Sequence, residues 1–267
     1  MSAPPDLLEE LVRAVRGSAK YRHVAPAVIA RLGARELDTR DSPREAIKAT
    51  KNKLHQVGGA YLSPRMHYSA WLAELRAAVD ARALQAACQR IMAHHASSAE
   101  RLPILVPFYA AIFSAVGPVA SVLDLACGLN PLAIPWMGLA PATRYIACDM
   151  YADLMAFLQV ALPLLGVRAE TQLCDLAQPE GLPAADVALI MKTIPCLEQS
   201  HKAAGERLLA AAPAPVLVVT FPTQSLGKRD KGMEASYERH LHELCDRQPW
   251  QVETLRFEGE LAFIVKR

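Results

Sequence analysis

Residues 122–131, Val-Leu-Asp-Leu-Ala-Cys-Gly-Leu-Asn-Pro, constrain the fold more than any other stretch of the chain. An apolar run interrupted by an acid, Asp124, ends at a glycine turn, Gly128, and a second acid, Asp149, closes the next strand-like segment. An acid on a strand, a glycine turn, a helix and an acid roughly 20 residues further on make the layout of a Rossmann-like pocket, with the second acid placed to read a ribose. What the turn lacks narrows the ligand. A dinucleotide site needs G-x-G-x-x-G so that the backbone can approach a pyrophosphate at a helix N-terminus. Here Leu129, Asn130 and Pro131 occupy the later positions, so no pyrophosphate is expected. Asn130 is expected to take the left-handed conformation that a glycine would otherwise supply, and Pro131 suits the first turn of a helix. With Ala126 and Gly128 lining the turn and Asp124 expected to face the crevice, the site suits a ligand that carries a cation as well as a ribose. S-adenosylmethionine, with its ammonium, sulfonium and ribose diol, meets those terms. A plain structural turn in an α/β domain is the alternative these residues leave open.

At 267 residues and 52% hydrophobic content, the chain can bury a large core as one domain or as one domain with a helical extension. The six cysteines form no C-x-x-C pair, which points to free thiols in a reducing cytoplasm and to no metal site. No signal peptide opens the chain, and the longest apolar stretch, 154–167, contains Pro163 and is too short to span a bilayer, so no membrane is expected.

The net charge of +2 is unevenly placed. Residues 1–100 carry 15 Lys/Arg against 10 Asp/Glu, and the remainder 14 against 17. Between Arg13 and Lys53 there are 11 basic and 4 acidic side chains, an asymmetry that suggests an anionic partner. Helix signals dominate this region. Ser42-Pro43-Arg44-Glu45 is a capping box, and Gly58-Gly59 offers a left-handed stop, which predicts a helix over 43–57. Ile47, Thr50, Leu54 and Val57 mark its apolar side, while Arg44, Lys48, Lys51 and His55 form a basic stripe. The stripe fits a phosphate backbone or a solvated face. Further helices are predicted over 64–80 and 81–95, and another from the capping box Ser97-Ser98-Ala99-Glu100 to Gly117.

From Ala120 the pattern becomes α/β. Strands are predicted over 121–126, 144–148, 169–174, 187–191 and 216–221, and 252–257 with 261–266 flank Glu258-Gly259-Glu260 as a closing antiparallel hairpin. A mainly parallel sheet ending in such a hairpin is the arrangement of a class I S-adenosylmethionine-dependent methyltransferase. Its ligands bind beyond the carboxyl ends of the strands, where Gly128, Asp149, Asp175 and Lys192 should gather. After the fourth strand the chain reads Met191-Lys192-Thr193-Ile194-Pro195-Cys196 rather than the [DN]-P-P-[YF] of exocyclic-amine methylation. The cytosine-C5 type of cysteine nucleophile is disfavoured too, because the second cysteine motif it uses is missing. A ring nitrogen with a free lone pair, such as guanine N7, needs no general base, and in-line positioning supplies much of the rate.

Several further segments carry a specific likeness: Lys20-Tyr21-Arg22, Leu54-His55 with Gly59-Ala60-Tyr61, Glu100-Arg101-Leu102, Phe108-Tyr109, and above all Phe221-Pro222-Thr223-Gln224-Ser225-Leu226-Gly227 with Lys231-Gly232-Met233-Glu234. Together with residues 124–131 they resemble the aminoglycoside-resistance 16S rRNA methyltransferases, in the guanine-1405 N7 branch, over nearly the whole chain. The resemblance implies a SAM-binding domain over 97–267 and a helical rRNA-binding domain over 1–96. It implies the 30S ribosomal subunit as partner, with a guanine of the 16S rRNA decoding-site helix as target, a monomeric enzyme, and resistance to kanamycin- and gentamicin-type drugs.

By the same resemblance Arg101 would hold the methionine carboxylate, Asp149 the ribose, and Asp175 with Leu176 the adenine. Lys20, Arg22, Arg44, Lys48, Lys51 and His55 would grip rRNA backbone, and Arg229, Lys231, Met233 and Glu234 would sit near the flipped guanine. Each has a quieter reading. Asp175 could cap the next segment, Arg101 could pair with a carboxylate, Met233 could fill core, and Lys192 could either face the substrate or neutralise an acid. A methyltransferase for the neighbouring adenine N1, one for a small molecule, and a catalytically idle RNA-binding protein are the competing functions.

Overall fold

The computed structural model describes residues 5–59, 66–223, 232–246 and 248–267. Ahead of the first strand lie α1 (Pro5–Arg16), α2 (Pro26–Thr39), α3 (Pro43–Leu54), α4 (Tyr68–Ala77), α5 (Ala81–Met92), α6 (Ala96–Arg101) and α7 (Leu105–Val116). The sheet region follows as β1 (Ser121–Leu125), α8 (Ile134–Met137), β2 (Arg144–Asp149), α9 (Ala152–Ala161), β3 (Arg168–Leu173) and β4 (Val187–Met191). It continues with α10 (Ile194–Glu198), α11 (Ala204–Ala211), β5 (Val216–Pro222), α12 (Met233–Cys245), β6 (Gln251–Phe257) and β7 (Glu260–Lys266).

The strands form one sheet in the order β3-β2-β1-β4-β5-β7-β6, parallel from β3 to β5, with β7 antiparallel to both β5 and β6. Every residue of β4 is buried, as expected of a central parallel strand covered on both faces, and that is why its sequence is apolar throughout instead of alternating. The chain order reverses between β1 and β4, which opens a crevice outside their carboxyl ends. Gly259, with φ of 78°, makes the tight turn that pairs Phe257 with Glu260 across the final hairpin.

Side chains alternate across the sheet and build two cores. On one face Val122, Tyr145, Ala147, Leu189 and Ile264 belong to a cluster that runs on without a break into Leu11, Ile29, Leu54, Trp71 and Ile91 of the preceding helices. On the other, Leu123, Ile146, Ile190, Val219 and Phe263 pack with Leu208, Leu209 and Leu241. The early helices are therefore continuous with one core of the sheet.

Local signals hold in some places and fail in others. The amide of Glu45 donates to Ser42 Oγ at 3.3 Å, and Pro43 opens α3 as its capping box requires. Ser97 does not cap: α6 begins at Ala96 after His95, so Ser97 and Glu100 lie inside it. The run to Gly117 is also broken, by a 3₁₀ turn over Leu102–Ile104 that contains Pro103. Gly58 is not a left-handed stop. Residues His55–Gly59 form a π-helical turn, and a Cβ on Gly58 would lie 2.2 Å from Met150 Cε and 2.8 Å from Tyr151 Oη, so glycine is needed there for close approach. Among the described residues the longest apolar helical run is Ala96–Val116, long and apolar enough to cross a membrane by length and composition alone. It carries Arg101, fully buried and ion-paired, and packs Phe108, Tyr109 and Ile112 into the core.

Candidate active site

A cavity of about 1000 Å³, counted out to where it opens to solvent, lies beyond the carboxyl ends of the strands. The sheet contributes Ala126, Cys127, Gly128 and Asn130 after β1, Asp149, Met150 and Tyr151 after β2, Cys174, Asp175 and Leu176 after β3, and Lys192 and Thr193 after β4. The earlier helices supply the opposite wall through Val28, Arg31, Gly58, His95, Ser98 and Arg101. Among the nine expected cofactor residues, Arg101, Ala126, Gly128, Asn130, Asp149, Asp175, Leu176 and Lys192 line the cavity.

The backbone at its floor is strained. Ala126 and Lys192, which follow β1 and β4 on either side of the crevice, have φ of 53° and 54°, a region that costs a residue with a Cβ about 1–2 kcal/mol. Gly128 has φ of 51°, and a Cβ there would meet His95 Nε2 at 2.7 Å, so the turn needs glycine twice over. Asn130 is not left-handed as expected; it opens a 3₁₀ turn with Pro131, and the positive φ falls on Ala126 and Gly128 instead. The Gly128 amide donates to Asp149 Oδ2 at 2.9 Å and the Met150 amide to Oδ1 at 2.6 Å. Burial raises the pKa of Asp149 while these backbone bonds oppose the rise. Its carboxylate is thereby braced against the glycine turn and keeps acceptor capacity toward the cavity.

Behind the floor lies a buried polar cluster. Arg101 Nε and Nη2 donate to Glu260 at 3.0 and 2.6 Å, and Nη1 donates to Asn130 Oδ1 at 2.8 Å and to Tyr109 Oη at 3.4 Å. Lys192 Nζ reaches Glu100 at 2.8 Å and Glu260 at 3.3 Å, so this lysine neutralises acids. Burial works strongly against charge on Glu260, yet Arg101 and Lys192 beside it, with hydrogen bonds from Arg101 and Thr220, hold its pKa below the usual carboxylate value. His95 is pushed down to about 4 by burial and then by the charges of Arg101 and Lys192, so it stands neutral at the cavity wall.

Asp124 does not face the crevice. It is fully buried beneath the turn, where Oδ2 accepts from Asn130 Nδ2 at 2.9 Å and from Tyr145 Oη at 2.7 Å, and it is absent from the cavity lining. Its Oδ1 has no hydrogen-bond partner among the described residues. Burial raises its pKa to about 7, partly offset by the bonds from Asn130 and Tyr145.

The remaining expected residues that the structure describes lie apart from the cavity. Met233 and Glu234 begin α12 outside the lining, and Glu234 pairs with Arg256 at 2.9 Å. Arg229 and Lys231 lie outside the described residues. On the helical side Lys20, Arg22, Arg44, Lys48 and His55 are exposed and Lys51 is half-buried. Lys20 Nζ lies 3.0 Å from His55 Nδ1, and Tyr21 Oη donates to the Lys51 carbonyl at 3.0 Å. The loop after α1 and the end of α3 thus share one basic face.

With this geometry in hand, a family model described as "Ribosomal RNA methyltransferase (FmrO)" matches residues 17–264. The chain belongs to that family. A 16S rRNA (guanine(1405)-N(7))-methyltransferase of Micromonospora echinospora is 40% identical over 271 residues, covering 100% of this chain and 99% of the relative. One from Frankia casuarinae is 43% identical over 277 residues, covering 100% and 97%. Among solved structures, 16S rRNA methyltransferase RmtF in complex with S-adenosyl-L-homocysteine is similar with a TM-score of 0.82 at 27% identity, covering 99% of this chain and 100% of RmtF. The 16S rRNA methylase RmtB is similar with a TM-score of 0.80 at 27% identity, covering 97% and 98%. This FmrO-family chain therefore carries the class I methyltransferase fold with a helical N-terminal region. His95, Arg31 and Glu260 are site residues that the sequence reading missed; Arg31 and Glu260 meet Asp175 and Arg101 across 144 and 159 positions, beyond the reach of any local motif.

The Asp124 environment sets a pH signature. An acid whose folded pKa is raised binds its proton more tightly when folded, so its cost is absent below the unfolded pKa of about 4 and grows until pH passes the folded value near 7. The stability of Asp124→Asn relative to the natural chain should therefore rise between pH 4 and 7 and level off above, by a few kcal/mol in total. Urea unfolding at a series of pH values checks this, and a pH-independent difference would refute it.

Proposed function

We propose that the chain transfers the methyl group of S-adenosylmethionine to N7 of guanine 1405 in 16S rRNA, acting as a cytoplasmic monomer on the assembled 30S subunit. Loss of the drug contact at that base then gives resistance to kanamycin- and gentamicin-type aminoglycosides. The observation that carries this reading is the end-to-end relationship to guanine-1405 N7 enzymes, at 40% and 43% identity over 100% of the chain.

The cavity fits the methyl donor. Asp149, braced by two amides, offers acceptors to a ribose diol, Asp175 and Leu176 form the far wall for the adenine, and the Gly128 turn gives a surface that a side chain would fill. Arg101 and Lys192 place positive charge at the other end for the methionine carboxylate. Four of the five Arg101 N–H donors are engaged by Glu260, Asn130 and Tyr109, which leaves one for a ligand.

S-adenosylmethionine supplies a methyl group activated by its sulfonium. Guanine N7 has a lone pair and no proton, so the protein need not supply a base; it aligns the ring nitrogen with the methyl group and keeps water out. The guanine must leave its stack to enter. Residues 1–96 grip the rRNA backbone through Lys20, Arg22, Arg44, Lys48, Lys51 and His55, which positions without reading sequence. Arg229, Lys231, Met233 and Glu234 are the residues proposed to act on the extruded base.

Two experiments test this reading. Calorimetry with S-adenosylmethionine should show the affinity of Asp149→Ala reduced by roughly a hundredfold, as loss of bonds to a charged acceptor implies; unchanged affinity would remove the cofactor assignment. Transfer of labelled methyl groups to purified 30S subunits should occur with the natural chain. With Arg44→Glu, Lys48→Glu and Lys51→Glu combined, the KM for subunits should rise by roughly tenfold or more while cofactor affinity holds. Equal KM values would reduce the stripe to a solvated face.

A further inference from the structure

Asp175 does not meet the cavity alone. Arg31, from α2, donates through Nε to Asp175 Oδ2 at 2.5 Å and through Nη2 to Oδ1 at 3.0 Å, while the Ala177 amide donates to Oδ1 at 3.1 Å. Both side chains line the cavity. At 17% and 9% side-chain exposure the pair is largely shielded from water, where a bidentate guanidinium–carboxylate contact retains most of its directional strength. An ionised carboxylate has about four lone-pair sites and no proton to give. Three of those sites are taken, so what remains for a ligand is one acceptor of fixed direction.

Several contacts independent of this pair hold α2 in register with the cavity rim. The Ala25 amide donates to the Met150 carbonyl at 2.8 Å, and the Ala152 amide to the His23 carbonyl at 2.8 Å, around a bridge between Val24 and Tyr151. Farther along α2, Arg35 Nη1 donates to the carbonyl of Ser200, another lining residue, at 2.9 Å. The guanidinium of Arg31 is thus carried by a helix fastened to the loops after β2 and α10.

We propose that Arg31 is a positioning residue for the purine end of the cofactor: it fixes Asp175 so that its one remaining acceptor faces the exocyclic amine, making α2 part of the device that selects adenine. This rests on the reading of the cavity as an S-adenosylmethionine site. A purine with a carbonyl in place of the amine would point an acceptor at an acceptor. The helical region thereby does more than approach rRNA; it completes the cofactor site.

The test is calorimetry on the full chain with S-adenosylhomocysteine and with its deaminated analogue, which carries inosine in place of adenosine. The natural chain should prefer the adenosine ligand by roughly tenfold or more. Arg31→Gln should weaken the adenosine ligand by roughly tenfold and shrink the preference by a similar factor, with Arg31→Lys intermediate. Asp175→Asn should shrink the preference as far, and the double variant no further, because the two residues act as one unit. Thermal unfolding of each variant confirms that it is folded. If Arg31→Gln weakens both ligands by the same factor, or neither, the pair is only a staple between α2 and the β3 loop and the proposal fails. If the natural chain binds neither ligand, the cofactor reading itself fails and the proposal falls with it.

Discussion

The ion pair between Arg101 and Glu260 ties the helices ahead of the sheet to its last strand through buried charge. Arg101 ends α6, ahead of the sheet, and Glu260 opens β7, the last strand; both have essentially no solvent exposure. A guanidinium in that position is tolerable only with a bidentate carboxylate and further acceptors, and removing one partner of such a pair costs about 3–5 kcal/mol because the other is left charged and buried. The pair also extends outward. Through Asn130 it fixes the turn after β1, and through Lys192 it fixes the strained residue after β4. The two loops that flank the crevice are therefore held by one electrostatic knot.

That knot accounts for the shape of the site. A crevice between β1 and β4 follows from sheet topology alone, but a walled cavity requires the helices in front of the sheet to close over it. They do so through the apolar core they share with one face of the sheet, through the Arg31–Asp175 ion pair at the rim, and through the close packing of His95 against Gly128. The basic face formed by Lys20, His55 and the exposed side of α3 lies on the same group of helices. The basic face and the cavity wall are thus carried by one helical layer.

The sheet was legible in the sequence because its central strands are short apolar runs and turn residues mark the ends even of the more polar edge strands β3 and β6; the described strands fall within a residue or so of their expected limits. The cavity loops were legible because ligands gather where such strands end. Asp124 was misplaced for a reason of register: with a period of 2 it shares a face with Val122 and lies beside Ala147 and Leu189 inside the sheet, before the crevice begins. Ser97 was misread because a capping box is a local pattern, while the start of α6 is set at Ala96, one residue after His95 packs against Gly128. Glu260 was counted only as part of a hairpin turn. Its role depends on a partner 159 residues away, which no spacing rule reaches.

The central claim concerns one atom, and chemistry can read it directly. Small ribosomal subunits methylated by the purified chain would be treated with borohydride and aniline, which cleave RNA at N7-methylguanine, and the break mapped by primer extension. The account predicts a single break at guanine 1405 of the 16S rRNA. Methyl incorporation without strand scission, or scission at another guanine, would contradict it.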